Sequence, residues 1–299
     1  MMWPQPTHRS FTIRGGILDG DRCTPSGHQI FRGLLMAVLF LSGCRTAPIG
    51  WTNNRPLAHS VETAGFVIRS DFAIAEDAPM IQELEHLQSD VVRTLQLPEA
   101  RDPVIVYLFS TESAYRRYMR TTWPNLPNRR AYFIGTSREL AVYSFHGPRM
   151  QEDLRHELTH GILHATLKTV PLWLDEGLAE YFEVSATETG APHSEHIRSL
   201  QRSMRKDWTP SIARLEGIVD FQEFDRDDYA ESWGWVHFML HSDAQRKQIL
   251  LDYLSDLRDA DAAESILARL PDERRIATHQ LAGWVNSLPQ SERPSVFRL

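Results

Sequence analysis

The chain has 299 residues, of which 42% are hydrophobic and 24% charged, and its formal net charge is -7. This length allows one large domain or two modest ones, and the composition is ordinary for a globular protein with a sizeable core. The acidic balance, together with the lack of a basic stripe in the sequence, excludes nucleic acid from the expected partners. The only two cysteines, Cys23 and Cys44, lie near the N-terminus, which excludes a disulfide framework from the rest of the chain.

The first predicted element is a targeting segment. Residues 34–41 read LLMAVLFL, which is too short to span a membrane but has the length of a signal-peptide core. Residues 41–44, Leu-Ser-Gly-Cys, resemble a bacterial lipobox, which implies that Cys44 is acylated. We therefore predict a signal segment over 1–43 with an over-extended start, and a tether over 44–60. A plain signal peptide or short anchor, and a buried core segment, remain the alternatives.

This resemblance implies an extracytoplasmic protein anchored by lipid to the bacterial cell membrane. Arg45 follows the cysteine and resembles a non-retention residue, which favours the outer membrane.

Beyond the tether the sequence predicts a small sheet with helices. Apolar residues at helical spacing predict an amphipathic helix over 79–97, ended by Pro98. A short helix is expected after Ser110-Thr111. β-branched and aromatic runs predict strands at 66–68 and 104–109, and a hairpin with strands over 131–135 and 139–145.

The remaining predicted elements are helical. Two central helices are expected over 150–167 and 172–183. We predict an α+β fold in which a small mixed sheet precedes these two helices, with a core domain over 61–186 and a helical subdomain over 187–299. The helices of that subdomain are expected near 196–205, 228–242, 246–258, 261–269 and 275–286.

The first central helix contains the sequence His156-Glu157-Leu158-Thr159-His160, an H-E-x-x-H motif. Positions i and i+4 lie on one face of a helix, so both imidazoles can reach one metal ion. Zinc accepts such ligands and requires a third protein ligand with one position left for water. The motif therefore predicts a zinc site, with Glu157 able to act as general base toward that water.

A second motif, PLWLDEGLAEY over 171–181, follows at short distance. Together the two motifs resemble the gluzincin zinc metallopeptidases, including aminopeptidase N relatives, and more closely the MA-like peptidase domains of bacterial proteins. The resemblance covers roughly 66–182. It implies a thermolysin-like catalytic core, and the glutamate of its E-G pair as third ligand, which is Glu176 here.

Spacing alone leaves the third ligand open. The aminopeptidase spacing of eighteen residues lands on Ala179, between Glu176 and Glu180. The flanking residues select Glu176, with Glu180 as the alternative ligand. When Glu176 is the ligand, Glu180 lies one turn further on and is expected to accept the N–H of a ligating histidine.

The resemblance also implies roles outside the metal ligands. A tyrosine that opens a Y-x-x-small helix donates to the oxyanion in such enzymes, which corresponds to Tyr229 here, with Tyr181 as the alternative. The strand over 139–145 is expected to be the sheet edge that binds an extended substrate. The other histidines near the motifs are expected to have packing or substrate-side roles: His164, His193, His196, His237 and His241.

The sequence thus predicts a zinc-dependent peptide-bond hydrolase that acts on peptides or proteins. Two alternatives remain, which are a catalytically silent binding lipoprotein of the cell envelope and a zinc amidase that acts on a non-peptide amide. The intact Glu157 favours an enzyme over the binding protein. The sequence does not choose an oligomeric state.

Overall fold

The computed structural model describes residues 55–184, 191–206, 208–270 and 274–289. The predicted signal segment and Cys44 lie outside this part of the chain. Within it the fold is α+β with a mixed sheet, as the sequence predicted. The sheet has five strands, where the sequence predicted four, and the described residues form nine α-helices. Over the same residues, no helix has both the length and the apolar character that crossing a membrane requires.

Among the described elements, strands and helices are interspersed as far as β5, and only helices follow. The strands are β1 (His59–Glu62), β2 (Phe66–Ser70), β3 (Val104–Phe109), β4 (Tyr132–Gly135) and β5 (Leu140–Phe145). The helices are α1 (Pro79–Leu95), α2 (Glu112–Thr122), α3 (Met150–Thr166), α4 (Leu172–Glu183), α5 (Ser194–Met204), α6 (Ile212–Gly217), α7 (Arg226–His241), α8 (Ala244–Asp256) and α9 (Arg274–Ser287).

The strand order in the sheet is β1-β2-β3-β5-β4. The inner strands β2, β3 and β5 are parallel, and β1 and β4 pair antiparallel at the two edges. The prediction that the strand over 139–145 forms the edge is wrong, because β5 lies between β3 and β4. The β4–β5 hairpin places β4 on the outer side of β5. Val142 in β5 therefore pairs with Val106 of β3 on one side and with Phe133 of β4 on the other.

Alternation along β3 divides the core between the two faces of the sheet. Val104, Val106 and Leu108 belong to the main core, which α1, α3 and α4 complete. Tyr107 and Phe109 point to the opposite face, where they join a smaller aromatic cluster under α2. Helix α3, which carries the H-E-x-x-H motif, therefore lies on the main-core face against β3, β4 and β5.

Three elements differ from the predictions. Strand β1 begins inside the predicted tether, and Val61 is its one buried residue, which leaves no apolar alternation to detect. The six-residue helix α6 was not predicted. Of the helix expected over 261–269, only a 3-10 turn at Ile266–Ala268 forms, because the Glu216 carboxylate binds the Ile266 N–H and the Ser265 hydroxyl.

Helix α7 packs directly along α4. A Cβ atom added to Gly177 would lie 2.7 Å from the carbonyl oxygen of Ser232 and 2.9 Å from Cγ2 of Val236. Only glycine permits this approach, since carbon atoms at such distances overlap. The contact brings Glu176, the neighbour of Gly177, beside the first turn of α7, where Tyr229 lies.

Candidate metal centre

Helix α3 presents two imidazoles on one side, as the spacing of its motif predicts. His160 is buried, with 1% of its side chain exposed, and His156 retains 16% at the mouth of a cleft. Their rings meet nearly at right angles, with centroids 4.9 Å apart. Their Nε2 atoms are only 3.2 Å apart.

Helix α4 adds the Glu176 carboxylate to the two imidazoles. Its Oε2 atom lies 3.5 Å from Nε2 of His156 and 3.7 Å from Nε2 of His160. This oxygen is buried and accepts no hydrogen bond from the residues that the structure describes. Three potential metal-binding atoms from two helices thus face one point. They belong to the three residues that the sequence predicted as metal ligands.

The dimensions of this triangle fit a zinc ion. Zinc–nitrogen and zinc–oxygen bonds of about 2.0–2.2 Å in a tetrahedron place neighbouring ligand atoms about 3.3–3.6 Å apart. The three donor separations of 3.2, 3.5 and 3.7 Å agree with that spacing. The Glu176 oxygen also indicates a bound cation. It is buried without a hydrogen-bond donor among the described residues, whereas a buried carboxylate is otherwise expected to be hydrogen-bonded.

The outer nitrogens of both imidazoles face carboxylates. His160 Nδ1 lies 2.9 Å from Oδ1 of Asp175, and His156 Nδ1 lies 3.1 Å from Oε2 of Glu183. A carboxylate only accepts, so both Nδ1 atoms carry a proton, and in the neutral rings, the form that binds a metal, both Nε2 atoms present lone pairs. Two lone pairs that face each other at 3.2 Å repel unless a cation lies between them. The outer contacts therefore set the tautomer that metal binding requires.

The local charges agree with this assignment. Burial lowers the pKa of His156, but the carboxylates of Glu176 and Glu183 outweigh burial and raise that pKa well above its ordinary value. Burial likewise acts to raise the pKa of Asp175, but His160 and His164 hold it well below its usual range. The centre therefore has a negative field that favours a positive charge at the Nε2 atoms.

Glu180 occupies a different place from the one predicted. Its Oε1 is 4.0 Å from His156 Nδ1, beyond hydrogen-bond distance, and its Oε2 lies 2.7 Å from Nε2 of His196. Glu183, one turn further along α4, takes the contact with His156 instead. The buried Arg155 fixes this turn by donating to the backbone carbonyls of residues 182–184 at the end of α4.

Glu157 lies beside His156 and His160 and is held by the sheet. Its Oε2 accepts the backbone N–H of Phe133 in β4 at 2.6 Å. Burial raises the pKa of Glu157, and the neighbouring His156 and His160 only partly oppose this. A carboxylate with a raised pKa and a fixed orientation suits the transfer of a proton near neutral pH.

Tyr229 lies in the first turn of α7 and lines the same cavity as Glu157. This turn is fixed by a capping box between Asp225 and Asp228. The Tyr229 ring packs edge-on against Phe224, with centroids 4.9 Å apart. Burial and the Glu176 carboxylate raise the pKa of Tyr229, so its hydroxyl keeps its proton and can donate it.

The cleft comprises two adjoining cavities. One has a volume of about 400 Å³ and is lined by His156 and Glu157 together with Tyr229. The other has a volume of about 340 Å³ and is lined by residues of α4, α5 and α7, again including Tyr229. Arg129, on the loop before β4, reaches over the Phe221 ring at 4.2 Å and lies beside Tyr229.

The alternative residues are engaged elsewhere. The Tyr181 hydroxyl lies 2.8 Å from Nε2 of His241, and the Tyr181 side chain is buried among helices. His164 binds Oδ2 of Asp175 at 3.0 Å and stacks on Phe133. His237 lies against Trp284.

Sequence reasoning missed Asp175, Glu183 and Arg129. Asp175 directly precedes Glu176 in the chain. Its contact with His160 depends on how α3 and α4 pack together, which the periodicity of a single helix does not predict. Glu183 lies at i+7 from Glu176, on the same face of α4, and this spacing was a signal that could have been found. No local pattern marks Arg129.

A scan against protein families matches residues 152–260 to a family described as "Protein of unknown function (DUF1570)". The matched segment contains the residues that α3, α4, α5 and α7 contribute to the centre, whereas Arg129 and Phe133 lie before it. Comparison with curated proteins finds none that matches the chain.

Proposed function

We propose that this chain is a zinc metallopeptidase with a thermolysin-like catalytic core of the gluzincin type. The observation that carries the proposal is the triangle of His156, His160 and Glu176, whose donor atoms are spaced for zinc around a buried oxygen that accepts no hydrogen bond from the described residues. The resemblance of the two sequence motifs supports the same assignment.

The triangle's three residues would hold the ion, and Asp175 and Glu183 would keep both imidazoles in the binding tautomer. Zinc bound there supplies a Lewis acid, which polarises a carbonyl and makes water a nucleophile near neutral pH. The described residues offer three ligand atoms at this point, whereas a purely structural zinc site has four protein ligands that close the tetrahedron.

The protein's own residues then account for the proton transfers. Glu157 accepts a proton from the attacking water and delivers it to the departing amine, while the N–H of Phe133 keeps its carboxylate oriented. Tyr229 donates its hydroxyl proton in a hydrogen bond to the oxygen that becomes negative during attack. Arg129, beside Tyr229, adds positive charge on the same side of the cleft.

The substrate would be a peptide or protein segment in extended form. Strand β4 is the sheet edge beside the centre, so a substrate strand would pair with β4 rather than with the strand predicted from the sequence. We further propose that the enzyme acts outside the cytoplasm, tethered to the membrane through lipid on Cys44.

The decisive experiment measures metal content and hydrolysis of a peptide library by the full-length chain purified in detergent. Wild type is expected to hold one zinc and to cleave. Glu157→Gln is expected to keep the metal and lose cleavage, while His160→Ala loses both. Glu85→Gln and His86→Ala, at exposed positions of α1, are the matched controls and should behave as wild type.

Three results would contradict the proposal. Full zinc occupancy in His160→Ala would show that the metal lies elsewhere. Metal binding without any cleavage that depends on Glu157 would favour a binding protein of the cell envelope. Cleavage of non-peptide amides alone, with the same dependence on Glu157, would identify an amidase.

A further inference from the structure

Two histidines at the start of α5 face two glutamates on the last turn of α4. His196 Nε2 lies 2.7 Å from Oε2 of Glu180, and His193 Nε2 lies 3.9 Å from Oε1 of Glu183. The two imidazole rings stack with centroids 3.9 Å apart and an angle of 24° between their planes. The four side chains form a cluster next to the three proposed ligands.

The geometry of this cluster differs from that of a metal site. The 2.7 Å separation of Glu180 and His196 is that of a hydrogen bond and is shorter than the ligand spacing around zinc. His193 caps α5, and its Nδ1 accepts the backbone N–H of His196 at 3.3 Å. That bond leaves the proton of the neutral ring on Nε2, so the His193 atom that faces Glu183 is a donor rather than a ligand.

Glu183 therefore stands between two imidazoles. Its Oε2 lies at the Nδ1 of the proposed ligand His156, and its Oε1 faces Nε2 of His193. The 3.9 Å separation on the His193 side is one that a single water or a small ring rotation bridges. Arg155 donates a hydrogen bond to the backbone carbonyl of Glu183 and so fixes its backbone. The Glu183 carboxylate is therefore the part of this residue that can move.

We propose that His193 is a positioning residue, which acts through Glu183 to hold His156 in its metal-binding orientation. Docking of the α5 N-terminus on the end of α4 would then set the affinity of the metal centre. This inference rests on the proposed function. The neighbouring pair of His196 and Glu180 is expected to have no such effect, because His156 Nδ1 already has its partner in Glu183 at 3.1 Å and Glu180 is 4.0 Å from that nitrogen.

The test compares cobalt and zinc affinities of the full-length chain, measured by chelator competition and by the visible absorption of bound cobalt. His193→Asn keeps a good helix cap but is too short to reach Glu183. It is expected to weaken metal binding about tenfold, at the lower end of the range for residues that support a ligand, and to shift the cobalt spectrum. His196→Phe, the matched control, keeps the stacked ring and should leave affinity and spectrum unchanged.

A double-mutant cycle tests the route through Glu183. Glu183→Ala alone should weaken binding by more than His193→Asn, and adding His193→Asn to it should cause no further loss, because the contact is already absent. Equal losses in both backgrounds, or wild-type affinity in His193→Asn, would overturn the inference. Circular dichroism melting of each variant separates these effects from unfolding.

Metal stoichiometry separates this inference from its rival and from the proposed function. Two metal equivalents in wild type, with one lost in His196→Phe, would identify a second metal site and overturn the inference. A wild type that binds neither cobalt nor zinc would overturn both proposals. Tight metal binding with the expected His193 effect but no cleavage dependent on Glu157 would support the positioning role and overturn the peptidase assignment alone.

Discussion

Replacing Gly177 by alanine tests the contact that brings α4 and α7 together. The added Cβ would lie 2.7 Å from the carbonyl oxygen of Ser232, whereas ordinary contact begins at 3.4 Å, so the two helices must separate by about 0.7 Å at this point. Overpacking of this kind costs roughly 1–3 kcal/mol. Alanine also recovers about 1 kcal/mol of helix propensity, which reduces the net loss in the free energy of unfolding.

The matched control is Gly283→Ala. Gly283 lies in α9, it is exposed, and a Cβ there meets nothing within 4 Å. This variant should gain the propensity term, about 0.5–1 kcal/mol, without any steric cost. The difference between the two variants therefore isolates the cost of separating α4 from α7, which we expect to be roughly 1–3 kcal/mol.

Urea unfolding of both variants, followed by circular dichroism, measures this difference when the free energy of unfolding falls with urea concentration at the same slope in both. Gly177→Ala should also bind metal more weakly than wild type, since the neighbouring Glu176 moves with α4 while His156 and His160 stay with α3. If both variants gain the same stability, the close approach of the two helices does not exist and the reasoning fails.

Two further predictions concern catalysis and the membrane. Tyr229→Phe should lower kcat by about 10²–10³-fold with metal content unchanged, the range for loss of one oxyanion donor, and steady-state kinetics with a metal assay would contradict this if kcat stayed at the wild-type value. Cys44→Ser should release the chain from membranes, and unchanged sedimentation with the membrane fraction would count against the lipid anchor.

Local pattern was sufficient for most of the individual elements. The apolar spacing over 79–97 predicted α1, and the β-branched run at 104–109 predicted β3 with its observed bounds. Helix α1 buries one face and β3 is almost wholly buried, so the residue types of each segment reflect its environment. The predicted ligands on α3 likewise follow from a single helix, because an i, i+4 pair meets wherever the helix lies.

The remaining features depend on how separate elements meet. Strand order places β5 inside the sheet, and no residue of the hairpin encodes this, since both of its strands are apolar. The choice between Glu180 and Glu183 as the partner of His156 depends on the rotation of α4 about its axis, and Arg155 and Gly177 fix that rotation through contacts distant in sequence. Such contacts carry no periodic signal.

Asp175→Asn separates charge from hydrogen bonding in the proposed metal centre. The Asp175 carboxylate bridges Nδ1 of His160 at 2.9 Å and Nε2 of His164 at 3.0 Å. An asparagine can keep both contacts, because its oxygen accepts from His160 while its amide donates to His164, which can change tautomer since it is not among the proposed ligands.

This substitution should therefore preserve the fold and lose only the negative charge. Because the imidazoles hold the pKa of Asp175 well below its usual range, that charge is fully present at neutral pH in the wild type. We expect metal affinity to fall about tenfold in Asp175→Asn, and further in Asp175→Ala, where the contact with His160 is also lost. Equal affinities in wild type and Asp175→Asn, measured by chelator competition, would show that the carboxylate orients His160 without making it a stronger ligand.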